Sequence, residues 1–179
     1  MRTVALYTLL SLDGVAEEPG DWLFEADDAL VENMGRVIGR QDDVLLGRGT
    51  YEYWAGYWPT SDVQPFADFV NGTPKHVFTS RPLTPDWANT TVVGSPAEEY
   101  VRDLKGGDGG AIGVHGSISL ARSLLAAGLV DVLHLVVAPT LAGSGRRLFD
   151  GGDELRRAEL LSARSTPAGL LLLDYRLRR

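Results

Sequence analysis

Three short segments of this chain combine glycine, arginine and hydroxyl side chains in turns suited to holding phosphate. They are Gly47-Arg48-Gly49-Thr50, Ser80-Arg81 and Gly113-Val114-His115-Gly116-Ser117. Each occurs at the end of an apolar run with the length of a buried strand. Backbone N–H groups at a helix start, glycines that allow close approach and an arginine side chain all favour bound phosphate. One such turn is weak evidence, but three together predict a dinucleotide ligand.

The first and third turns are each predicted to open a helix. Thr50 is the candidate N-cap of a helix at 50–55, and Ser117 is the candidate N-cap of a helix at 117–127. In the third turn, Gly116 removes the side chain at the point where a phosphate would come closest. Both turns are also compatible with ordinary strand-to-helix connections, because glycine before a helix often serves backbone geometry alone.

The second turn places a hydroxyl and a guanidinium side by side. Ser80 and Arg81 close the predicted strand at 75–80, and Pro82 follows, which cannot continue a strand ladder. An arginine at such a turn can bind the 2′-phosphate of an adenosine, the contact that favours NADP over NAD. An exposed arginine beside a turn is otherwise ordinary, so the preference for NADP is a hypothesis that rests on Arg81.

Strand and helix segments alternate along most of the chain. This order predicts an α/β fold with a mainly parallel sheet and helices on both faces, because parallel neighbours need a crossover connection. The last two strands differ, since the turn signal Thr166-Pro167-Ala168-Gly169 between them predicts an antiparallel hairpin. The predicted strands are 2–10, 43–47, 75–80, 90–94, 111–115, 131–138, 158–165 and 170–178, and the predicted helices are 22–39, 50–55, 62–71, 96–104 and 117–127.

Short motifs follow one another in a particular order along nearly the whole chain. They include Ser11-Leu12-Asp13-Gly14, Leu46-Gly47-Arg48-Gly49-Thr50-Tyr51, Thr79-Ser80-Arg81-Pro82, Gly128-Leu129-Val130-Asp131 and Ala138-Pro139-Thr140-Leu141-Ala142-Gly143. This order resembles the dihydrofolate reductase superfamily, and in particular stand-alone proteins similar to the C-terminal reductase domain of bifunctional riboflavin-biosynthesis enzymes. The likeness is most specific from Gly116 to Phe149. True dihydrofolate reductases usually carry two glycines where this chain has Gly116-Ser117.

The resemblance implies a three-layer sandwich of the dihydrofolate reductase type, with about eight strands in a single domain over residues 1–179. It also implies a reductase that binds NADPH across the carboxyl ends of the sheet. Gly113 is assigned to the cofactor with the rest of the third turn. By matching positions, Gly47, Arg48 and Thr50 would meet the cofactor phosphates, Ser80 and Arg81 the adenosine side, and Gly116, Ser117 and Ile118 the pyrophosphate region.

Residues after the first strand and on the next helix are expected to face the nicotinamide, because open α/β sheets bind ligands at the carboxyl ends of their strands. Asp13 is the first choice for a catalytic acid, because its Ser-x-Asp-Gly context matches the family that the chain resembles. A carboxylic acid in apolar, aromatic surroundings would have a raised pKa and could supply a proton. Asp-Gly is also a common turn dipeptide, so a structural role for Asp13 stays open. Trp22, Tyr51 and Trp54 are candidates for stacking on a planar substrate, with core packing as the alternative.

Composition argues against several classes of protein. The net charge of −7 and the lack of a Lys/Arg-rich stripe argue against a nucleic-acid partner. The chain has no cysteine, which excludes disulfides and thiolate zinc sites. His76, His115 and His134 lack metal-ligand spacing and are predicted to be structural, so no metal site is expected. A long apolar span and a basic-then-apolar N-terminal segment are both absent, which predicts a cytoplasmic protein without membrane contact.

Together these features predict an NADPH-dependent reductase that transfers hydride to a C=N or C=O group of a small heterocycle, either a pyrimidine of the riboflavin pathway or a pterin. A rival from another class is a nucleotide-binding or ligand-sequestering module without turnover, since fold alone does not fix function. A flavin-binding protein is a third interpretation. The resemblance also implies a homodimer, and the apolar runs 133–137 and 170–173 are expected to supply interface as well as core.

Overall fold

An eight-stranded sheet with helices on both faces is the centre of the computed structural model, which describes residues 1–150 and 155–178. Within those residues, no helix is long and apolar enough to cross a membrane. The elements are β1 (Val4–Leu10), α1 (Asp28–Ile38), β2 (Gln41–Gly47), α2 (Arg48–Ala55), α3 (Phe66–Gly72), β3 (Lys75–Phe78), β4 (Thr90–Val93), α4 (Ala97–Gly106), β5 (Ala111–Gly116), α5 (Ile118–Ala126), β6 (Val132–Val137), β7 (Ala158–Ser165) and β8 (Leu171–Leu177).

The strand order across the sheet is β4-β3-β2-β5-β1-β6-β8-β7. Strands β1 to β6 are mutually parallel, whereas β8 is antiparallel to both β6 and β7. Gly169, with φ of +80°, forms the turn of the predicted C-terminal hairpin. This is the dihydrofolate-reductase-like α/β fold expected from the sequence. Because β1 to β6 point the same way, their carboxyl ends share one edge of the sheet, which we name the carboxyl edge.

The core has a layer of apolar side chains on each face of the sheet. Helices α4 and α5 cover one face through Val101 and Leu124, which are both fully buried. On the other face, α2 and α3 contribute Tyr51 and Val70, and α1 contributes Leu30. Most of the run 133–137 is core, as expected, since Leu133, Leu135 and Val136 are buried in these layers.

The first helix is shorter than the sequence predicts. It begins at Asp28, and residues 22–27 precede it without helical structure. Asp27 has extended backbone angles and is the N-cap, with its carboxylate accepting the N–H of Leu30 at 2.9 Å. A residue in this conformation fixes the start of the helix, because its side chain accepts an N–H group that has no partner inside the helix.

Candidate functional site

The turns after β2 and β5 interlock at the carboxyl edge, because these two strands are neighbours in the sheet. A Cβ atom on Gly47 would overlap the Ser117 side chain and lie 3.2 Å from the Ser117 backbone nitrogen. A Cβ atom on Gly116 would lie 2.8 Å from Oγ1 of Thr50, and Gly116 has φ of +137°. Glycine is therefore required at both positions by close approach. The result is that the starts of α2 and α5 lie side by side.

The N-terminus of α2 is open to a ligand. Helix α2 begins directly after β2, and its N-cap, Gly47, provides no side chain to cap the first N–H groups. These groups and the positive end of the helix dipole favour an anion. The prediction that Thr50 caps this helix is wrong, since the helix begins at Arg48 and Thr50 lies in the first turn with its hydroxyl against Gly116.

The N-terminus of α5 is partly satisfied by the protein itself. Ser117 is the N-cap, as predicted, and its Oγ accepts the N–H of Leu120 at 3.4 Å. The peptide bond between Gly116 and Ser117 is cis. Ile118 begins the helix and is half-buried. Of the two adjacent helix starts, α2 therefore offers the larger number of free donors to a phosphate.

Two arginines flank these helix starts. Nε of Arg48 donates to Glu52 at 2.7 Å, and among the described residues its two Nη groups have no hydrogen-bond partner. Arg81 and Ser80 are exposed in the turn after β3, which is the neighbour of β2. The hydroxyl of Thr79 accepts the backbone N–H of Arg81 at 3.0 Å and so shapes this turn. The ends of β3, β2 and β5 thus place three donor-rich turns next to one another, as the sequence predicts.

Gly113 lies inside β5 and not in the third turn. It pairs with Ala5 and Val44 in the middle of the sheet. A Cβ atom there would overlap the Gln41 side chain and lie 2.8 Å from Nε2 of His115. The assignment of Gly113 to the cofactor is therefore wrong. Because Gly113 has no side chain, the side chains of Gln41 and His115 fit beside it.

The Asp13 carboxylate fastens two loops together. It accepts hydrogen bonds from the Ser11 hydroxyl at 2.6 Å and from the N–H groups of Ala142 and Gly143 at 2.9 and 3.0 Å. Nη2 of Arg147 lies 3.3 Å away. The bond from Ser11, followed by that from Ala142, lowers the pKa of Asp13 to about 2, so the carboxylate is ionised at neutral pH. The expectation of a raised pKa is wrong, because donors and not apolar groups surround this carboxylate.

The three aromatic candidates have different environments. Tyr51 is 1% exposed and donates its hydroxyl to the carbonyl of Pro85 at 3.0 Å, so the prediction that it stacks on a substrate is wrong. Trp22 is also buried, with Nε1 donating to the carbonyl of Glu17 at 2.8 Å. Its indole lines an open cavity of about 440 Å³ at the carboxyl edge. Trp54 is half-buried beside the third turn and remains a candidate.

A group of aromatic rings surrounds His115 on the face of the sheet that α2 and α3 cover. Its Nε2 is 2.7 Å from Oε1 of Gln41, and burial lowers the pKa of His115 to about 4, which keeps the imidazole neutral. The aromatic rings within 6.3 Å of it are those of Tyr7, Trp54, Phe66 and Phe69. Sequence reasoning missed Tyr7 and Phe69. Strand alternation was the available signal for Tyr7, since β1 and β5 each place every second side chain on this face.

The other two histidines are also held by hydrogen bonds. His76 lies between Asp43 at 2.7 Å and the Tyr100 hydroxyl at 2.8 Å. His134 lies 2.6 Å from Asp174. All three histidines therefore have hydrogen-bond partners within the fold, as is expected of structural histidines.

Comparison with curated proteins finds relatives that match most of the chain. The uncharacterized protein YwjB of Bacillus subtilis (strain 168) is 30% identical over 151 residues, which is 83% of each chain. The uncharacterized protein YyaP of the same strain is 24% identical and covers 97% of this chain and 94% of its own.

Solved structures share the fold at low identity. A structure from Shewanella sp. PV-4 superposes with a TM-score of 0.80 at 17% identity over 99% of both chains. Dihydrofolate reductase from Enterococcus faecalis, complexed with NADP(H), superposes with a TM-score of 0.68 at 16% identity, over 99% of this chain and 97% of that one. A pyrimidine reductase-like protein from Corynebacterium diphtheriae gives 0.71 at 16% identity, over 99% of this chain and 92% of that one.

The family itself is shown by a match to the family model. The RibD C-terminal domain model matches residues 2–172, which include all three turns and the interlocked helix starts. This chain therefore belongs to the RibD C-terminal domain family.

Proposed function

We propose that this chain is an NADPH-dependent reductase that transfers hydride to a small heterocycle, either a pyrimidine of the riboflavin-biosynthesis type or a pterin-like ring. The observation that carries the proposal is the interlocking of the turns at Gly47 and Gly116, which brings two helix starts together at the carboxyl edge. The family match and the NADP(H) complex of the Enterococcus faecalis enzyme support the same class of activity and cofactor.

The described residues fit a dinucleotide. The uncapped N–H groups of α2 and the free Nη groups of Arg48 would bind phosphate oxygens. Ser80 and Arg81 would bind the adenosine side, where the Arg81 guanidinium matches a 2′-phosphate. Ser117 and Ile118 would border the pyrophosphate. When bound, NADPH supplies the hydride.

The protein's own part in the reaction is to orient the substrate and exclude water. Half-buried rings of Tyr7, Trp54 and Phe69, together with the neutral His115, offer an apolar surface for a planar heterocycle beside the third turn. In this proposal Asp13 is a positioning residue. As an ionised carboxylate it holds the loop after β1 against the loop after β6 at the same edge.

A ligand-sequestering module on the same fold is the second candidate. The observation that favours it is the state of Asp13, the acid expected from the sequence, whose hydrogen bonds hold it ionised and occupied with loop contacts. Cofactor binding would be retained by such a module, because the helix starts and arginines do not depend on Asp13. Turnover with a pyrimidine or pterin substrate separates the two candidates.

Calorimetric titration of NADPH and NADH into the wild type, Arg48→Ala and Arg81→Ala tests the proposal. We expect micromolar NADPH binding, about −8 kcal/mol. Arg48→Ala should weaken both nucleotides, because both carry the pyrophosphate, whereas Arg81→Ala should weaken NADPH by about tenfold to 100-fold and leave NADH nearly unchanged.

The exposed Arg102 on α4 provides the control, and Arg102→Ala should bind both nucleotides like the wild type. The absence of binding by either nucleotide would refute the assignment of the three turns. Nucleotide binding without turnover of any pyrimidine or pterin would favour the sequestering module.

A further inference from the structure

A cavity of about 180 Å³ lies between α1 and the C-terminal hairpin. Its polar lining comes from one stripe of α1, with Asn33 and Arg36 at helical spacing, and from β7, which contributes Arg164 and Ser165. Strands β8 and β7 form one side of the sheet, whereas the three turns follow β3, β2 and β5. The cavity is therefore separate from the proposed nucleotide site.

Two guanidinium groups meet at one oxygen atom in this cavity. Nη2 of Arg36 donates to Oδ1 of Asn33 at 2.9 Å, and Nη2 of Arg164 donates to the same oxygen at 3.3 Å. An amide oxygen carries only a partial negative charge, so it does not neutralise two arginines. Like charges held this close repel each other, and an anion bound between them would relieve that repulsion.

The nearby carboxylates leave part of this positive charge unbalanced. Asp174 binds Arg36 at 2.9 Å but also lies 2.6 Å from Nδ1 of His134. Arg164 forms no ion pair with any Asp or Glu in the part of the chain that the structure describes. Glu32 is the one carboxylate among the described lining residues, and it is exposed and pairs with neither arginine. The charge of Arg164 therefore remains free for a ligand.

Several donors of the cavity have no acceptor among residues 1–150 and 155–178. Nε of Arg36 is buried without a hydrogen-bond partner, which is a costly state for a donor. Nε and Nη1 of Arg164 and the hydroxyl of Ser165 also make no hydrogen bond there. A phosphate group presents oxygens in several directions, so it suits donors from a helix and a strand better than a planar carboxylate does.

We propose that this cavity binds a phosphate group between the guanidiniums of Arg36 and Arg164, with the hydroxyl of Ser165 as a further donor. The volume of about 180 Å³ is below the usual range for drug-sized ligands, about 300 to 1,000 Å³. The ligand is therefore inorganic phosphate or the phosphoryl end of a small ester, and not a whole nucleotide.

The test is a nuclear magnetic resonance titration of the isotope-labelled, nucleotide-free protein with inorganic phosphate at constant ionic strength. Backbone signals of α1 and β7 should shift and saturate, with a dissociation constant of about 1 mM or lower. Arg164→Gln should raise this constant by at least about tenfold, because it removes the guanidinium that has no internal ion pair. Glu32→Gln should lower it, since the Glu32 carboxylate opposes the anion.

Arg176→Gln is the matched control, because it removes the same charge from an exposed residue of the hairpin that pairs with Glu159 and does not line the cavity. This variant should bind phosphate like the wild type. Glycerol phosphate distinguishes the two sources of the ligand. Tighter binding than inorganic phosphate identifies an ester as the ligand, weaker binding identifies free phosphate, and both results support the site.

Circular dichroism checks that each variant is folded, and Arg164→Lys, which keeps the charge but loses the two-pronged geometry, replaces an unfolded Arg164→Gln. The proposal is overturned if no signal of α1 or β7 shifts, or if the folded Arg164 variant binds phosphate as tightly as the wild type. Shifts confined to the starts of α2 and α5 and abolished by Arg48→Ala would assign phosphate to the nucleotide site and likewise overturn it. Because the titration needs neither nucleotide nor turnover, none of these results depends on the proposed reductase activity.

Discussion

The two ends of the sheet use charged groups in opposite ways. At the amino end, Arg2 is paired with Asp42 and Asp43, and Lys105 is paired with Asp131. At the carboxyl edge, the Nη groups of Arg48 have no partner among the residues that the structure describes, Arg81 is exposed, and α2 begins without a capping side chain. Charges at the amino end therefore hold the fold together, whereas the donors at the carboxyl edge are, in our proposal, the ones that bind the nucleotide.

At the amino end of the sheet, one network of hydrogen bonds connects several elements. Nη2 of Arg2 donates to Asp43 at 2.6 Å, and the other oxygen of Asp43 lies 2.7 Å from Nε2 of His76. The Tyr100 hydroxyl completes the chain at Nδ1 of His76. These contacts join the start of β1 to β2, β3 and α4, so changes here should affect stability and not ligand binding.

The largest effect is expected from Lys105→Met. This change removes the lysine partner of Asp131, a partly buried carboxylate that also accepts the N–H of Val4 at 2.8 Å, and losing one partner of a largely buried pair costs about 3 kcal/mol of unfolding free energy. Urea denaturation measures the loss, and calorimetry should show unchanged NADPH affinity.

Lys75 provides the matched control, since it is fully buried, hydrogen-bonds among the described residues only to the carbonyls of Val70 and Thr73, and lies 4.5 Å from the centre of the Trp87 ring. Burial lowers the pKa of Lys75 to about 8. We expect a smaller loss of stability for Lys75→Met, because no carboxylate is left behind. Equal losses in the two variants, or a fall in NADPH affinity with Lys105→Met, would contradict the division between the two ends.

His115 should make stability depend on pH. Its pKa is about 4 in the fold and 6.5 ordinarily, so between these values the unfolded chain binds a proton that the folded chain does not. Unfolding free energy should therefore fall as pH falls through this window, by about 3 kcal/mol in total. Urea titrations at several pH values should show this slope in the wild type and a weaker one in His115→Phe. Identical slopes would show that the histidine does not remain neutral in the fold.

Gly47→Ala should weaken NADPH binding by at least about tenfold. The added methyl group overlaps Ser117 and forces the turns after β2 and β5 apart, at a cost of about 1 to 3 kcal/mol. Gly49→Ala is the control in the same turn, because a Cβ there would meet nothing within 4 Å. Calorimetry on both variants measures the effect. If Gly49→Ala were as damaging as Gly47→Ala, the contact with Ser117 would not be the cause.

The smallest effect is expected from Asp13→Asn. The hydrogen bonds that lower its pKa to about 2 favour the folded state above pH 3.8, the ordinary value, and that contribution is lost as pH falls towards 2. At neutral pH the amide keeps part of the loop contacts, so turnover should fall by less than about tenfold. Steady-state kinetics with a confirmed substrate measure this. Complete loss of turnover with intact cofactor binding would restore Asp13 as a catalytic residue.

Local patterns in the sequence predict the strands and the three turns, because alternation, apolar runs and glycine positions report backbone geometry directly. Contacts between distant segments are not readable in this way. The pKa of Asp13 is lowered first by Ser11, two residues away, and then by Ala142 and Gly143, which nothing near Asp13 in the sequence reveals. The misplacement of Gly113 has the same origin, since its role depends on Gln41 in the neighbouring strand.

The position of β1 in the sheet governs the order in which the chain can fold. Although β1 precedes the other strands of this sheet along the chain, its two neighbours are β5 and β6, which begin at Ala111 and Val132. During synthesis, β1 must wait for most of the chain before it acquires either partner, with apolar edges exposed meanwhile. Contacts of such long sequence separation make folding slow compared with that of helical bundles, so we expect β1 to pair late in folding.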